Sequence, residues 1–233
     1  MSDPLQIALV GATGLVGRSV MEVAVGRSDI RLLALARRAV ELPQGAKMDM
    51  IVAPTKCWSD VLNRQAPDVL ICALGTTIGK QKGDRDAFRT VDYGLIVDTA
   101  RAAHAAGVKR CLVVSTVNAD SGSRLFYAKV KGETEDALRK IGFDRLDLIR
   151  PGLLRGKRQD DPRAFEKLAM LVSPFFDPFL QGAYSAYRSI VATTIAEAAL
   201  GLALRKAAGT FVHENKAIHR EANYFCSGGE GRR

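Results

Sequence analysis

The 233-residue sequence is short of the residues that build metal and disulfide sites. It has four cysteines and three histidines, and no two cysteines form a Cys-x-x-Cys pair. The histidines are isolated from one another, so no set has the spacing of zinc ligands. Widely separated thiols are typical of proteins that keep them reduced. We therefore expect a cytoplasmic protein without a metal site.

Long apolar runs and blocks of like charge are also missing. No stretch of about 18 uncharged apolar residues occurs, and the opening MSDPLQ has no basic segment before an apolar one. We expect neither secretion nor membrane insertion. The formal net charge of +9 would attract any anionic partner. However, aromatic residues make up only 6% and no basic block appears, so we do not expect nucleic acid as the partner.

The first part of the chain alternates short apolar runs with segments of helical period. This alternation is typical of βαβ units, and runs that are apolar throughout are typical of strands covered on both faces. The segment 86–107 has helical spacing and ends on a glycine. The sequence therefore predicts an α/β fold, a Rossmann-type doubly wound parallel sheet. The predicted strands are 5–10, 30–36, 68–74, 110–115 and 145–150.

The pattern changes after Pro151. A basic loop, RGKRQDDPR, is followed by the proline-punctuated apolar segment LVSPFFDPFL and then by a helical stretch, ATTIAEAALGLALRK. We therefore predict a Rossmann domain over residues 1–150 and a small C-terminal subdomain over 151–222 that packs on it and covers the substrate. The glycine-rich end, 223–233, predicts a disordered tail.

A glycine triplet follows the first predicted strand directly, in the segment GATGLVG. Glycines at this spacing permit a tight turn, let the backbone approach a pyrophosphate and let the following helix pack on the strand. The alternative is a plain strand-to-helix turn, but the position after the first strand favours a dinucleotide site. The predicted cofactor contacts in this loop are Gly11, Thr13, Gly14, Leu15, Val16 and Gly17.

Two arginines, Arg37 and Arg38, end the second predicted strand. NAD-dependent enzymes place a carboxylate there for the ribose hydroxyls, whereas guanidinium groups suit the 2′-phosphate of NADP. The alternative is a pair of solvated loop arginines. The pair therefore predicts NADP(H) as the cofactor and residues 1–150 as an NADP-binding domain.

The segment FYAKVKGE places Tyr127 and Lys131 one helical turn apart. An ammonium near a phenol favours the phenolate, so this pair is suited to proton transfer near neutral pH. Upstream, the fifth predicted strand delivers the hydroxyls of Ser115 and Thr116 to the carboxyl edge of the sheet, where such folds bind ligands. The alternative is an amphipathic surface helix. The order of all these features favours a catalytic site.

These segments together resemble atypical members of the short-chain dehydrogenase/reductase superfamily, in the small group around the human Tat-interacting oxidoreductase-like protein. The resemblance rests on GATGLVG, ARR, CALGTTIGK, VSTVNADSGSRLFYAKVKGE, FDRLDLIRPGLL and ENKAIH. It implies a Rossmann fold with a short C-terminal extension and NADPH as the cofactor. It also implies that Tyr127 donates or accepts the proton and that Lys131 holds the nicotinamide ribose. The further residues that it places beside the cofactor are Leu74, Gly75, Thr76, Pro151, Leu153 and Leu154.

The sequence departs from the family pattern at two points. The residue that polarises the substrate carbonyl falls on Thr116, with Ser115 one position away. Asp92 occupies a position where extended relatives often have asparagine. In the C-terminal part, Arg163 either clamps a cofactor phosphate or belongs to a solvated hinge, and the phenylalanines of LVSPFFDPFL either fill a core or form a substrate wall.

Two functions are consistent with these patterns. The first is an NADPH-dependent reductase of a carbonyl or similar small electrophile, with Tyr127 as the acid. The second is a redox-responsive regulator that binds NADPH and a protein partner without turnover. The partner is therefore a small-molecule substrate or a protein, and the sequence leaves the substrate and the oligomeric state open.

Overall fold

The computed structural model describes residues 3–77, 79, 81–155 and 189–228. The strands are β1 (Leu5–Val10), β2 (Ile30–Ala36), β3 (Asp49–Val52), β4 (Val69–Cys72), β5 (Arg110–Val114), β6 (Arg145–Ile149), β7 (Leu154–Arg155), β8 (Ile190–Val191) and β9 (Gly209–His213). The helices are α1 (Leu15–Val23), α2 (Trp58–Gln65), α3 (Arg85–Arg89), α4 (Ile96–Ala105), α5 (Phe126–Arg139), α6 (Ala192–Ala203) and α7 (Asn215–Cys226). A 3₁₀ turn, Thr55–Cys57, precedes α2, and a π-helical turn, Thr90–Leu95, joins α3 to α4.

Seven parallel strands form the main sheet, in the order β3-β2-β1-β4-β5-β6-β9. Strand β1 is central and pairs with β2 on one side and β4 on the other. The chain order reverses between β1 and β4, and ligands of open parallel sheets bind in the crevice beyond the carboxyl ends of the strands at such a point. The Rossmann-type fold predicted from the sequence is confirmed.

Helices cover both faces of the sheet, which is why the buried parts of the central strands, residues 7–10 of β1 and 69–72 of β4, are apolar. Alternate side chains of β1 enter two separate clusters, with Ile7 and Leu9 on one face and Ala8 and Val10 on the other. The first cluster also contains apolar residues of α1, α6 and α7, and the second those of α2, α4 and the end of α5. The core therefore lies in two layers that fix the strand ends relative to the helices.

The five predicted strands are all present, within about two residues at their ends. Prediction missed the two edge strands, β3 and β9, whose residues are mostly half-buried or exposed. The predicted helix 86–107 is interrupted, because the π-helical turn separates α3 from α4.

The second predicted unit, 151–222, stays a prediction because residues 156–188 lie outside the described ranges. Its described part shares the main sheet: β9 pairs with β6, and α6 contributes to the same apolar cluster as α1. The predicted disordered tail is wrong for residues 223–226. These belong to α7, where Phe225 packs into the core with 6% of its surface exposed.

Within the described ranges, no helix is both long and apolar enough to cross a membrane. In the same part of the chain, no three His, Cys, Asp or Glu side chains lie close enough to hold a metal ion.

Candidate active site

The loop after β1 passes against the loop after β4 at Gly11. Its φ is +90°, and a Cβ there would lie 2.5 Å from the carbonyl carbon and oxygen of Ala73 and 2.7 Å from the nitrogen of Leu74. No other residue fits this conformation and spacing without displacing the β4 loop. Gly11 therefore brings the two loops together at the reversal point of the sheet.

The same loop begins α1 with its backbone N–H groups open. Gly14 is the N-cap of α1, and no side chain forms a capping hydrogen bond or places an acidic group in the first turn. A Cβ on Gly17 would overlap the carbonyl of Gly11 and lie 2.9 Å from Cα of Ala12, so the helix packs directly on the turn. A helix start with these properties is suited to binding phosphate.

The remaining predicted loop residues differ in exposure. Thr13 is exposed and Leu15 is half-buried. Val16 is 5% exposed and packs in the core, which leaves only its backbone for a ligand.

Arg37 and Arg38 directly follow β2 and are both exposed. Strand β2 is the parallel neighbour of β1, so its carboxyl end lies at the same edge of the sheet as the glycine loop. The two residues thus follow β2 at the edge of the sheet where the prediction places the cofactor.

Helix α5 begins at Phe126 and carries Tyr127 in its first turn. The helix start is preceded by a turn in which the Leu125 N–H donates to the Ser123 hydroxyl over 3.2 Å. The Tyr127 ring packs on Phe88 with 5.5 Å between ring centroids, and 37% of the residue remains exposed. Among the described aromatic residues, Phe88 contacts the Tyr127 ring, and the side chain is partly exposed to solvent.

Lys131 lies one turn further on and is almost completely buried, with 4% of its surface exposed. Its Nζ is 2.7 Å from Oδ1 of Asp92, a residue of the π-helical turn with no exposed surface. Burial lowers the pKa of Lys131, but the Asp92 carboxylate and then Tyr127 raise it, so the pKa lies above its usual value. Lys131 is consequently an ammonium near neutral pH.

The β4 loop lies against this ion pair. The Thr76 N–H donates to Oδ2 of Asp92 over 2.8 Å. A Cβ on Gly75 would be 3.5 Å from Oδ1 of Asp92 and 3.8 Å from Nζ of Lys131. Leu74 precedes them and is half-buried. The structure therefore brings the predicted Gly75–Thr76 segment and the predicted lysine together.

Ser115 and Thr116 follow β5 but differ in their surroundings. The Ser115 hydroxyl is buried and donates to Oε1 of Glu135 over 2.6 Å. Arg150 donates two hydrogen bonds, of 2.9 and 2.6 Å, to the same carboxylate, and this bonding raises the pKa of Arg150. Thr116 is half-buried. The sequence left open which of the two hydroxyls polarises the substrate carbonyl. The Ser115 hydroxyl is already hydrogen-bonded in the buried network around Glu135.

The segment after β6 links the site to the short β7–β8 sheet. The buried Pro151 accepts a hydrogen bond from the Val117 N–H over 3.0 Å, and the carbonyl of Leu153 accepts one from Ile190 over 2.9 Å. Leu154 pairs with Ile190 in the β7–β8 sheet. Arg163 and the phenylalanines of LVSPFFDPFL lie outside the described residues.

Sequence reasoning assigned no role to Glu135 and left that of Asp92 undecided. Glu135 is four positions after Lys131, so the helical spacing alone indicates that the two residues share one face of the helix. The spacing does not reveal the contacts that Glu135 makes with other elements. The contact between Asp92 and Lys131 joins two helices distant in the sequence, and only the tertiary structure reveals it.

A parallel sheet with a glycine-rich turn after its first strand, and with a Tyr-x-x-x-Lys helix at the same edge, defines a nicotinamide-nucleotide-binding protein with an oxidoreductase-like Rossmann fold. A family model described as NAD(P)H-binding matches residues 11–199. The chain belongs to this NAD(P)H-binding family. The resemblance to atypical short-chain dehydrogenases/reductases is confirmed as far as an NAD(P)H-binding family with a Rossmann-type fold. The narrower assignment to the group around the Tat-interacting protein stays a prediction.

A curated relative, the mitochondrial protein FMP52 of Meyerozyma guilliermondii, is 38% identical over 175 residues, which are 72% of this chain and 75% of the relative. Among solved structures, MoeE5 in complex with UDP-glucuronic acid and NAD has a TM-score of 0.68 at 14% identity, covering 89% of this chain and 75% of that one. The dTDP-4-dehydrorhamnose reductase of Bacillus anthracis in complex with NADP has a TM-score of 0.66 at 14% identity, covering 100% and 83%. At these identities the two structures show the fold.

The cytoplasmic location predicted from the cysteine pattern is contradicted. The relatives from Meyerozyma guilliermondii, Aspergillus niger and Candida albicans are all named mitochondrial proteins. The four cysteines are indeed free in the structure. Reduced thiols report a reducing environment, and this property does not distinguish one compartment from another.

Proposed function

We propose that the protein is an NADPH-dependent reductase of a carbonyl or a similar small electrophile. The observation that carries the proposal is the meeting of three segments at one edge of the sheet: the glycine loop, the β4 loop and the first turns of α5. Gly11 leaves no space for a Cβ against Ala73, and Gly75 lies against the side chains of Asp92 and Lys131. Lys131, one helical turn from the proposed proton donor Tyr127, therefore lies beside a loop proposed to hold the cofactor.

The glycine loop fits a dinucleotide. The open N–H groups at the start of α1 would bind the pyrophosphate, and the lack of a Cβ at Gly11 and Gly14 lets the backbone approach it closely. When bound, the cofactor supplies the hydride. The chain itself binds the phosphates, orients the substrate and moves the proton.

Tyr127 is the proposed proton donor to the carbonyl oxygen. Its partly exposed side chain is accessible to a substrate, and the Lys131 ammonium one turn away stabilises the phenolate that remains after transfer. Lys131 would also hold the nicotinamide ribose. Thr116 is the proposed hydrogen-bond donor to the carbonyl, because the Ser115 hydroxyl already donates to Glu135.

A panel of small aldehydes and ketones tests the reaction, with NADPH consumption as the measurement. We expect Tyr127→Phe to bind NADPH with unchanged affinity and to lose roughly 100-fold or more of the rate, since it lacks the transferable proton. The matched control is Tyr93→Phe, which alters a half-buried tyrosine of the π-helical turn and should retain the wild-type rate. A fully active Tyr127→Phe protein would remove the assigned acid. Tight NADPH binding without oxidation of any substrate would favour the redox-responsive regulator instead.

Arg37 and Arg38 are the proposed reason for a preference for NADP over NAD. A hydrogen bond to a charged group contributes about 1.5–3 kcal/mol. Replacing both arginines by alanine should therefore weaken NADPH binding by at least about tenfold, while NADH binding changes little. Calorimetric titration with each cofactor measures this difference. Equal affinities of the wild-type protein for NADH and NADPH would contradict the assignment.

A further inference from the structure

Asp92 connects helix α5 to the loop after β4. One carboxylate oxygen is 2.7 Å from Nζ of Lys131 on α5, and the other accepts the N–H of Thr76 in the β4 loop over 2.8 Å. The residue has no exposed surface. A single buried carboxylate thus contacts two of the three segments that make up the site.

The backbone around Asp92 is held as firmly as its side chain. The residue lies in the π-helical turn Thr90–Leu95, and such turns interrupt helices at functional sites more often than elsewhere. The Thr134 hydroxyl, also buried, contacts the Asp92 carbonyl at 2.8 Å. Helix α5 therefore contacts this turn through Lys131 and through Thr134.

The contact with Lys131 depends on charge more than on hydrogen-bond geometry. Nζ of Lys131 lies 2.7 Å from Oδ1 of Asp92, and the charge of the carboxylate raises the pKa of Lys131 more than the hydrogen bond between the two groups does. An amide in place of the carboxylate would keep the size and the bond to Thr76 but would lose the negative charge. Asparagine is therefore the substitution that separates charge from shape.

We propose that Asp92 is a positioning residue, which keeps Lys131 charged and fixes it against the β4 loop so that the ammonium can hold the cofactor beside Tyr127. This inference rests on the proposed function. In the part of the chain that the structure describes, three ionisable groups face Lys131: Asp92 from the π-helical turn, Tyr127 from α5 itself and Cys72 from β4. Of these, Asp92 has the greatest effect in keeping the lysine protonated against the cost of burial.

The first test follows the lysine directly, without cofactor. The Cε NMR signal of Lys131, assigned with a Lys131→Arg protein, is titrated with base in the wild type and in Asp92→Asn. We expect the lysine of Asp92→Asn to lose its proton at least about one pH unit lower, because the cost of burial is no longer offset. Identical titrations would overturn the proposal.

The second test uses NADPH itself as the probe. The affinity of Asp92→Asn for NADPH should fall by at least about tenfold between roughly pH 7.5 and 10.5, while the wild type changes by less than about twofold. The matched control is Thr134→Val, which removes the other contact to the π-helical turn without a change of charge and should show the wild-type profile.

The outcomes separate the two proposals. Parallel pH profiles of NADPH affinity in Asp92→Asn and the wild type would overturn the positioning role. Failure of the wild-type protein to bind NADPH would instead refute the proposed function, and the lysine titration would still test Asp92.

Discussion

At the scale of single residues, two helical glycines have opposite surroundings. A Cβ on Gly132 of α5 would overlap the nitrogen of Ser121 and lie 2.6 Å from Cα of Asp120, so the helix packs on the backbone of the preceding loop. Gly94, in the π-helical turn, would place a Cβ no closer than 4.0 Å to the carbonyl of Arg89. The glycine at 132 is required by packing, and the glycine at 94 is not.

Gly132→Ala should therefore destabilise the protein by about 1–3 kcal/mol or more, as is usual when atoms are forced into a packed site. Gly94→Ala should be neutral or stabilising by up to about 1 kcal/mol, because alanine favours helix. Urea unfolding of both proteins measures the difference. Equal stabilities of the two variants would show that α5 does not pack on the loop as described.

The four cysteines also differ at this scale. Burial raises the pKa of the Cys72 thiol to about 11 and that of Cys111 well above its usual value, and both side chains are inaccessible. Cys226 is exposed. Burial and then the contact with Glu197 raise the pKa of Cys226, which slows its reaction. We nevertheless expect a thiol reagent at about pH 8 to modify Cys226 and the half-buried Cys57 well before Cys72 and Cys111, which react only as fast as the protein opens. In Cys226→Ser the fast reaction should be confined to the half-buried Cys57; fast modification of two or more thiols in that variant would contradict the burial of Cys72 and Cys111.

Residue spacing predicted Tyr127, Lys131 and the glycine triplet, because these signals are local: one helical turn and one strand-to-helix turn. The partners of these residues could not be predicted in the same way. Asp92 reaches Lys131, and Glu135 reaches Ser115, through the packing of separate elements. The proposal of Thr116 over Ser115 therefore rests on a contact of Ser115 that only the tertiary structure reveals.

At the scale of elements, a buried polar cluster joins the edge strand β9 to β6. Arg145 donates two hydrogen bonds, of 2.6 and 2.8 Å, to Asp147, and the ring Nε2 of His213 lies 2.8 Å from the same carboxylate. Arg145 also donates to the carbonyl of Ala207 over 2.7 Å, and Phe211 lies beneath its guanidinium at 4.4 Å. Asp147 has no exposed surface. This one carboxylate is the common partner of the cluster.

Asp147→Ala should cost about 3–5 kcal/mol of stability, because it leaves a buried guanidinium without its counter-charge. The matched control is Asp49→Ala, which removes the exposed Arg31–Asp49 pair at 3.1 Å and should cost less than about 1 kcal/mol. Thermal unfolding measures both. Similar losses in the two variants would mean that the cluster does not secure β9.

Element prediction succeeded where the physics is simplest. Strands such as β1 and β4, covered on both faces, must be continuously apolar and are visible as such. The edge strands β3 and β9 bury less and carry a weaker pattern, and β9 is also joined to its neighbour β6 by the polar cluster around Asp147. The π-helical turn has no periodic signature, so 86–107 reads as one helix.

At the scale of the whole molecule, the buried ionisable groups predict how stability depends on pH. The raised pKa of Cys72, about 11 against an ordinary 9.0, means that the folded protein binds more protons than the unfolded chain between these values. The contribution of the protonated Cys72 thiol to the free energy of unfolding is therefore fully present below about pH 9 and is lost as the pH rises toward about 11. The free energy of unfolding of Cys72→Ala, measured at several pH values, should decline less steeply over this interval; an equally steep decline would contradict the assignment.

The architecture places the crevice between β1 and β4 beside α5, and the central claim is that hydride transfer takes place there. The most direct measurement uses NADPH deuterated at the transferable position of the nicotinamide, with a carbonyl compound that the panel identifies as a substrate. We predict that the reduced product carries the deuterium and that solvent deuterium does not replace it at carbon. Tyr127→Phe should form the labelled product roughly 100-fold or more slowly while still binding NADPH. NADPH bound tightly with no label passed to any carbonyl compound would contradict the account.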